Sequence, residues 1–183
     1  IIDLAKNLNT TYLSNNSISC FEDSKSRIWH VNVEGVYILN PDKTEISFLS
    51  KDNFQNLEKS SLTSTFEDSV GDFWFGSDNG LVHMYSENRQ TLNTYSVKPS
   101  ANDSWMYNFY EDIQGEVWMA CGQGGIFKLD RRGYKPGNYR TEHGLGDNNV
   151  WETLEAQDGK VWIGTYGGID IYDPAEKSLK HLG

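Results

Sequence analysis

The chain has 183 residues, 13% of them aromatic with six Trp, and a formal net charge of −10 from 26 acidic and 16 basic side chains. That length suffices for one ordinary core, and the aromatic content without any low-complexity tract excludes disorder. The charge is spread along the chain, whereas nucleic acid and anionic lipid need Lys/Arg clusters, so neither is expected as a partner; no apolar run approaches the roughly 20 residues of a membrane-spanning helix.

In chain order, residues 1–12 read as one short strand, and then a phrase begins to recur. It is first Phe21-Glu22-Asp23-Ser24-Lys25-Ser26-Arg27-Ile28-Trp29, then Phe66-Glu67-Asp68-Ser69-Val70-Gly71-Asp72-Phe73-Trp74. It returns as Tyr110-Glu111-Asp112-Ile113-Gln114-Gly115-Glu116-Val117-Trp118 and as Leu154-Glu155-Ala156-Gln157-Asp158-Gly159-Lys160-Val161-Trp162. The tryptophans stand 45, 44 and 44 residues apart. A fixed period in that range marks a solenoid, propeller or array, in which each unit buries its apolar face against a neighbour.

The second copy shows what one unit becomes. Leu62 to Glu67, Phe73 to Gly76, Leu81 to Tyr85 and Thr91 to Tyr95 are four short β-type segments, separated by turn residues and without any 3.6-residue stripe. Four strands in 44 residues are a β-meander, the size of one propeller blade. Gly71, Gly115 and Gly159 stand three residues before Trp, where a tight hairpin wants positive φ, and the first copy has Ser26 there. Gly35, Gly80, Gly124 and Gly168 stand six residues after their Trp and are expected to close the next turn. Alternation puts Trp74 on one face with Gly76, Trp118 with Ala120 and Trp162 with Gly164, which suits sheets stacked face to face.

The expected fold is therefore all-β, with propeller blades built as four-stranded antiparallel meanders. Four complete blades, 13–57, 58–101, 102–145 and 146–183, form part of a larger propeller, and residues 1–12 are the outer strand of a preceding blade. Trp29, Trp74, Trp118 and Trp162 are the expected blade core. An open wedge would expose two apolar faces, so the chain reads as a segment of a longer protein, with a homodimer closing the ring as the alternative.

Repetition also separates architecture from function, because a residue present in every copy serves a need common to all blades. Glu22, Glu67, Glu111 and Glu155, with Asp23, Asp68 and Asp112 behind three of them, are expected at strand ends and turns rather than as a glycosidase pair. His30, His83, His143 and His181 are scattered without metal-ligand spacing, and no Gly-x-Ser-x-Gly elbow occurs, so neither metal, cofactor nor catalytic residue is expected. Gly122-Gln123-Gly124-Gly125 reads as a turn with one residue inserted.

Function is expected where the copies differ, on the rim formed by the turn between the second and third strands and the connection to the next blade. Trp105 replaces Ser61 of the second copy, with Asn149 in that place in the fourth, and Trp151 replaces Thr63. Tyr166, Gln123 and Asp78 occupy the opposing turns, and Asn102, Asp147 and Asn148 the connections. Aromatic faces stack on sugar rings while amides and carboxylates bond hydroxyls, so this set suits a glycan or oligosaccharide. The other reading of Trp105 and Trp151 is packing between blades. His30 and Lys59 are further rim candidates.

The phrase Glu-Asp-x-x-Gly-x-(apolar)-Trp-(apolar)-Gly-x-x-x-Gly-(apolar), with Leu13 to Ile18 upstream of its first copy, resembles the two-component regulator propeller repeat over essentially the whole chain. The resemblance implies the periplasmic sensor region of bacterial hybrid histidine kinases, in which blades form ligand-sensing propellers ahead of a membrane helix and a kinase with its phosphorelay. It implies a non-catalytic segment that makes no membrane contact itself. Its partners would be a glycan and the other propeller blades of the parent sensor. A protein-interaction or dimerisation scaffold is the alternative, and a polysaccharide-active enzyme stands behind both.

Overall fold

The computed structural model describes residues 3–7, 18–42, 44–54, 61–97, 105–129 and 136–182. It is all-β. The strands are β1 (Asp3–Asn7), β2 (Ser19–Glu22), β3 (Ile28–Asn32), β4 (Gly35–Leu39), β5 (Glu45–Ser50), β6 (Leu62–Glu67), β7 (Asp72–Ser77), β8 (Leu81–Ser86) and β9 (Thr91–Ser96). They continue as β10 (Met106–Glu111), β11 (Val117–Cys121), β12 (Gly125–Leu129), β13 (Pro136–Tyr139), β14 (Val150–Glu155), β15 (Val161–Thr165), β16 (Gly168–Asp173) and β17 (Ser178–Leu182). Every consecutive set of four from β2 onward is an antiparallel meander, one for each repeat. The strands expected of the second copy agree with β6 to β9 within a residue at each end.

The N-terminal strand departs from expectation. Rather than standing as the outer strand of a separate preceding blade, β1 pairs antiparallel with β5 and makes the first sheet five-stranded, in the order β1-β5-β4-β3-β2. An outer strand presents a row of unpaired N–H and C=O groups, and β1 satisfies those of β5.

The chain divides into two compact units, Ile1–Tyr95 and Ser96–Gly183, each holding two sheets. In the first, Trp29, Val31, Val36 and Ile38 pack against Leu62, Phe73, Phe75 and Tyr85. In the second, Trp118, Ala120 and Ile126 pack against Val150, Val161, Ile163 and Tyr172. The indole of one blade leans on an aromatic ring of the next within each unit. Trp29 stacks on Phe73 with ring centroids 3.9 Å apart, and Trp118 tilts over Tyr172 at 5.1 Å. Apart from area burial of 25 cal/mol per Å², about, such ring pairs add roughly 0.5–1.5 kcal/mol each.

What fixes each indole is the aspartate six residues before it. Asp23 Oδ2 accepts the Trp29 Nε1 proton at 2.7 Å, Asp68 that of Trp74 at 2.7 Å, and Asp112 that of Trp118 at 2.9 Å. The other oxygen of each carboxylate accepts two backbone amides of its own hairpin turn, those of Lys25 and Arg27, Val70 and Asp72, and Gln114 and Glu116. One buried carboxylate thus closes the turn and aims the ring. Burial opposes ionisation of Asp23, yet the hydrogen bonds from Trp29 and from the Arg27 amide and guanidinium outweigh it and hold its carboxyl below the ordinary value. The glutamate of the same phrase works between blades. Glu67 accepts both the amide and the hydroxyl of Ser24, and Glu155 accepts the Tyr110 hydroxyl.

The fourth blade breaks the pattern. Ala156 stands where the other three have Asp, and Trp162 is only half-buried, whereas Trp29, Trp74 and Trp118 have no exposed surface. Trp162 is thus not a fully buried core residue as its three counterparts are. In the hairpin turns, Ser26 adopts a left-handed φ of 59° where Gly71 has 82°, so the turn geometry is kept at a steric cost in the first blade. In the third blade the left-handed glycine is Gly125 (φ 84°) rather than Gly124, and Gln123 is left-handed as well (φ 56°), which accommodates the inserted residue.

Three outcomes are expected of equilibrium unfolding in urea. Asp68→Ala leaves one indole and two amide donors without their acceptor and should lower stability by roughly 3 kcal/mol or more. Gly71→Ala meets no atom within 4 Å of the added carbon, so only its backbone conformation is penalised, by about 1–2 kcal/mol. His83, fully buried with Nδ1 2.9 Å from Thr94 Oγ1, has its pKa lowered by burial from the ordinary 6.5 to about 4. Between those values the unfolded chain holds a proton that the folded chain refuses. Stability should therefore decline as pH falls from 6.5 to 4, by up to about 3 kcal/mol, and His83→Gln should flatten that slope.

Candidate functional site

The rim of each unit is built by one repeated backbone bond. The amide in the turn after the second strand donates to the carbonyl just before the first strand: Asp78 to Ser61 at 3.1 Å, Gly122 to Trp105 at 2.9 Å and Tyr166 to Asn149 at 3.0 Å. The three pairs are spaced by the repeat, and they hold the variable positions next to one another.

A second repeated device lies one step inside that bond. The pairing of β6 with β7, β10 with β11 and β14 with β15 slips between Leu62 and Ser64, Met106 and Asn108, and Val150 and Glu152. Thr63, Tyr107 and Trp151 are therefore bulged residues at equivalent positions, freed from the alternation that would fix their direction. In the second unit the two bulged aromatics meet across adjacent blades. Tyr107 and Trp151 stack with centroids 4.7 Å apart and planes 23° from parallel. Gly122 leaves room for this, since a Cβ there would stand 2.9 Å from the Tyr107 ring.

Trp105, Tyr107, Gly122, Gln123 and Asn149 line a cleft of about 180 Å³. Trp105 and Trp151 are each 47% exposed, which is unlike the buried indoles of the blade core. Asn149 Oδ1 is buried without a hydrogen-bond partner. The cleft therefore offers aromatic faces, a side-chain amide on Gln123 and an unused acceptor, with no charged side chain in its lining. That chemistry suits an uncharged, hydroxylated ring better than an ion.

Of the residues expected on the rim, Trp105 and Gln123 line the cleft, and Trp151 stacks beside it on Tyr107. Tyr166 is the most open, 78% exposed, tied to Asn149 through its backbone alone. Asp147 and Asn148 are loop braces. Asp147 Oδ1 accepts the Asn149 amide at 2.7 Å, and Asn148 Oδ1 accepts the Thr141 amide at 2.8 Å while its carbonyl accepts that of Gly125. Asp78 belongs to the first unit, where its carboxylate closes its own turn on the Ser61 amide at 3.1 Å. Asn102 and Lys59 lie outside the described residues. His30 is not a rim residue. It sits inside β3, buried near Tyr37, and burial lowers its pKa. Tyr107 was not expected, because it reads as an ordinary strand residue; its 44-residue spacing from Trp151 is the signal that marks the pair.

Among the described residues, no group of three or more His, Cys, Asp and Glu side chains is placed to hold a metal ion, and no helix is long and apolar enough to cross a membrane. Cys20 is exposed and Cys121 buried, both as free thiols.

No curated protein matches the sequence. Among solved structures, the chain is similar to the extracellular domain described as that of the hybrid two component system BT3049 from B. thetaiotaomicron, with a TM-score of 0.76 and 23% identity over 90% of this chain and 22% of that one. The extracellular domain described for the hybrid two component system BT4673 from the same organism gives 0.71 and 22% identity over 92% and 25%. Virginiamycin B lyase from Staphylococcus aureus gives 0.72 at 13% identity, over 98% and 59%. The chain thus spans about a quarter of the length of the two extracellular domains. Residues 144–167, which run from the fourth connection through the turn at Tyr166, match the family model described as two component regulator propeller. The fourth blade is thus similar to the two component regulator propeller repeat, and the blades share the fold of the extracellular domains described for hybrid two component systems.

Proposed function

We propose that this chain is a non-catalytic, ligand-sensing propeller segment from the extracytoplasmic part of a hybrid two-component histidine kinase. Its ligand is a neutral glycan, one ring of which occupies the cleft of Trp105, Tyr107, Gln123 and Asn149. The observation that carries this reading is the half-exposed aromatic set at bulged and rim positions, in a repeat protein whose Trp29, Trp74 and Trp118 have no exposed surface. Trp151 stacks on Tyr107 of the neighbouring blade, yet it and Trp105 each keep about half of their surface exposed, and a pyranose presents a C–H face that stacks on such rings. The likeness in fold to extracellular domains of hybrid two component systems supports a periplasmic location and an output through a kinase and response regulator. In such an arrangement binding must favour one geometry of the blades over another, because a ligand shifts an equilibrium only by its differential affinity.

A second reading, an interaction scaffold, is favoured by one observation. Leu154, Ile169 and Leu182 of the fourth sheet are exposed beside the half-buried Trp162, and they form an apolar surface that another propeller domain or a second copy could cover.

Titration of neutral oligosaccharides followed by intrinsic Trp fluorescence separates the two. Trp105→Ala and Trp151→Ala should each weaken binding by about tenfold, with the thermal midpoint moved by no more than a few degrees. Unchanged binding with a large fall in midpoint would show that the rings serve packing. Concentration-dependent association without any sugar would favour the scaffold.

A further inference from the structure

Differences between the copies also fall inside the sheets. The residue after each phrase Trp and the residue opposite it on the first strand of the blade form a cross-strand pair in every copy. These pairs are Cys20 with His30, Thr65 with Phe75, Phe109 with Met119 and Thr153 with Ile163. Phe75, Met119 and Ile163 have no exposed surface and serve the core. The first blade alone puts an imidazole in that place, and it alone sets a thiol opposite.

A polar side chain in a core place needs partners. His30 is only 8% exposed, yet among the described residues no hydrogen bond reaches its Nδ1 or its Nε2. The Tyr37 ring lies 6.1 Å from it, with the phenol turned to Glu34. Burial favours the neutral imidazole, in which one nitrogen keeps an unshared lone pair. The register brings Cys20 close to it. Asp23 N donates to Arg27 O at 2.9 Å, so Phe21 with Trp29 and Ser19 with Val31 are the hydrogen-bonded pairs of this ladder. Cys20 and His30 are the pair between them, where opposed side chains approach most closely. Their Cβ atoms stand roughly 4.5–5.5 Å apart on one face. Cys20 is exposed and free, so a sulfur open to solvent stands beside a buried lone pair.

We propose that Cys20 and His30 bind one copper(I) ion, held in line between the Cys20 sulfur and a ring nitrogen of His30. Zinc would need further side chains, and among the described residues no group of three or more His, Cys, Asp and Glu is placed to supply them. Copper(I) is soft, prefers thiolate, and accepts two ligands in line. Two metal bonds of roughly 2 Å each span roughly 4 Å, which side chains opposed across a strand pair can bracket. On binding, the Cys20 S–H bond breaks and its proton passes to water. The sulfur electron pair then forms the S–Cu bond, the His30 lone pair forms the N–Cu bond, and copper stays monovalent. Thiolate and ion cancel in charge, so no net charge enters the face that Tyr37 and Phe48 make apolar. The site lies in the first unit, whereas the glycan cleft belongs to the second.

The test titrates the whole chain anaerobically with copper(I) against the chelator bicinchoninate. The chain should take one equivalent from the chelator, and X-ray absorption at the copper edge should show one sulfur and one nitrogen neighbour. Cys20→Thr and His30→Phe each install a residue that the second blade carries in the same place, so both variants should fold with little change in thermal midpoint. Loss of an outer-shell partner alone weakens metal binding by about 10–100-fold. Cys20→Thr should therefore cost at least about a hundredfold, and His30→Phe at least about tenfold. Cys121→Ala, which removes the buried thiol, should leave binding unchanged. In the unaltered protein, silver(I) as a redox-inert stand-in should shift the His30 ring nitrogen resonances and leave those of His83 in place, a readout that needs no variant to fold. No uptake, uptake undiminished in Cys20→Thr or in His30→Phe, copper bound by sulfur alone, or unmoved His30 resonances overturns the proposal.

Discussion

A carboxylate hidden inside a hairpin and bonded to an indole is the interaction from which the rest of this molecule follows. Alone, a buried carboxylate costs several kcal/mol, roughly. In each of the first three blades it is satisfied by two amides and one ring N–H, all within seven residues of sequence. The local bond fixes the hairpin, and the hairpin in turn fixes the indole. The indole then decides where the neighbouring sheet can lie, through Phe73 in one unit and Tyr172 in the other. A short-range constraint is thereby converted into spacing between blades.

The stacks are finished differently in the two units. Over Trp29 and Phe73 lies the guanidinium of Arg27, 5.3 and 5.8 Å from the ring centroids and held by Asp23 and Glu87. Over Trp118 and Tyr172 lies the ammonium of Lys128, 4.9 and 5.9 Å away, with Glu116 and Asp112 beside it. Arg27 comes from the turn before β3 and Lys128 from β12, so the cation reaches an equivalent place from unrelated positions in the repeat. A positive charge over the ring faces thus accompanies the stack in each unit, and its covalent origin differs between them.

The fold was legible because periodicity, turn residues and alternation all point to the same meander. Four tryptophans at near-constant spacing defined the register, and the strands around Trp74 fell where the pattern put them. What was not legible depended on pairing partners distant in sequence. Nothing in Asp3–Asn7 says that it adds to the edge of β5. Trp162 carries the same phrase as its counterparts, but a single missing carboxylate and its half-buried setting change its environment. At the rim, comparing copies exposed Trp105, Gln123 and Trp151 because they replace smaller or different residues. Tyr107 escaped because an aromatic residue in a strand looks like core, and a bulge leaves no mark in composition. His30 was misread for the opposite reason: its polarity suggested the surface, whereas the middle of β3 is buried on both faces.

The bulges at Thr63, Tyr107 and Trp151 have an evolutionary consequence. Each such residue stands outside the hydrogen-bonded ladder, so its identity is free of the requirement that shapes its neighbours. A hydroxyl, a phenol and an indole already occupy the three places. Gene duplication of one blade therefore copies a scaffold together with a single interchangeable surface position, and selection can diversify recognition one repeat at a time while leaving the sheet beneath it intact.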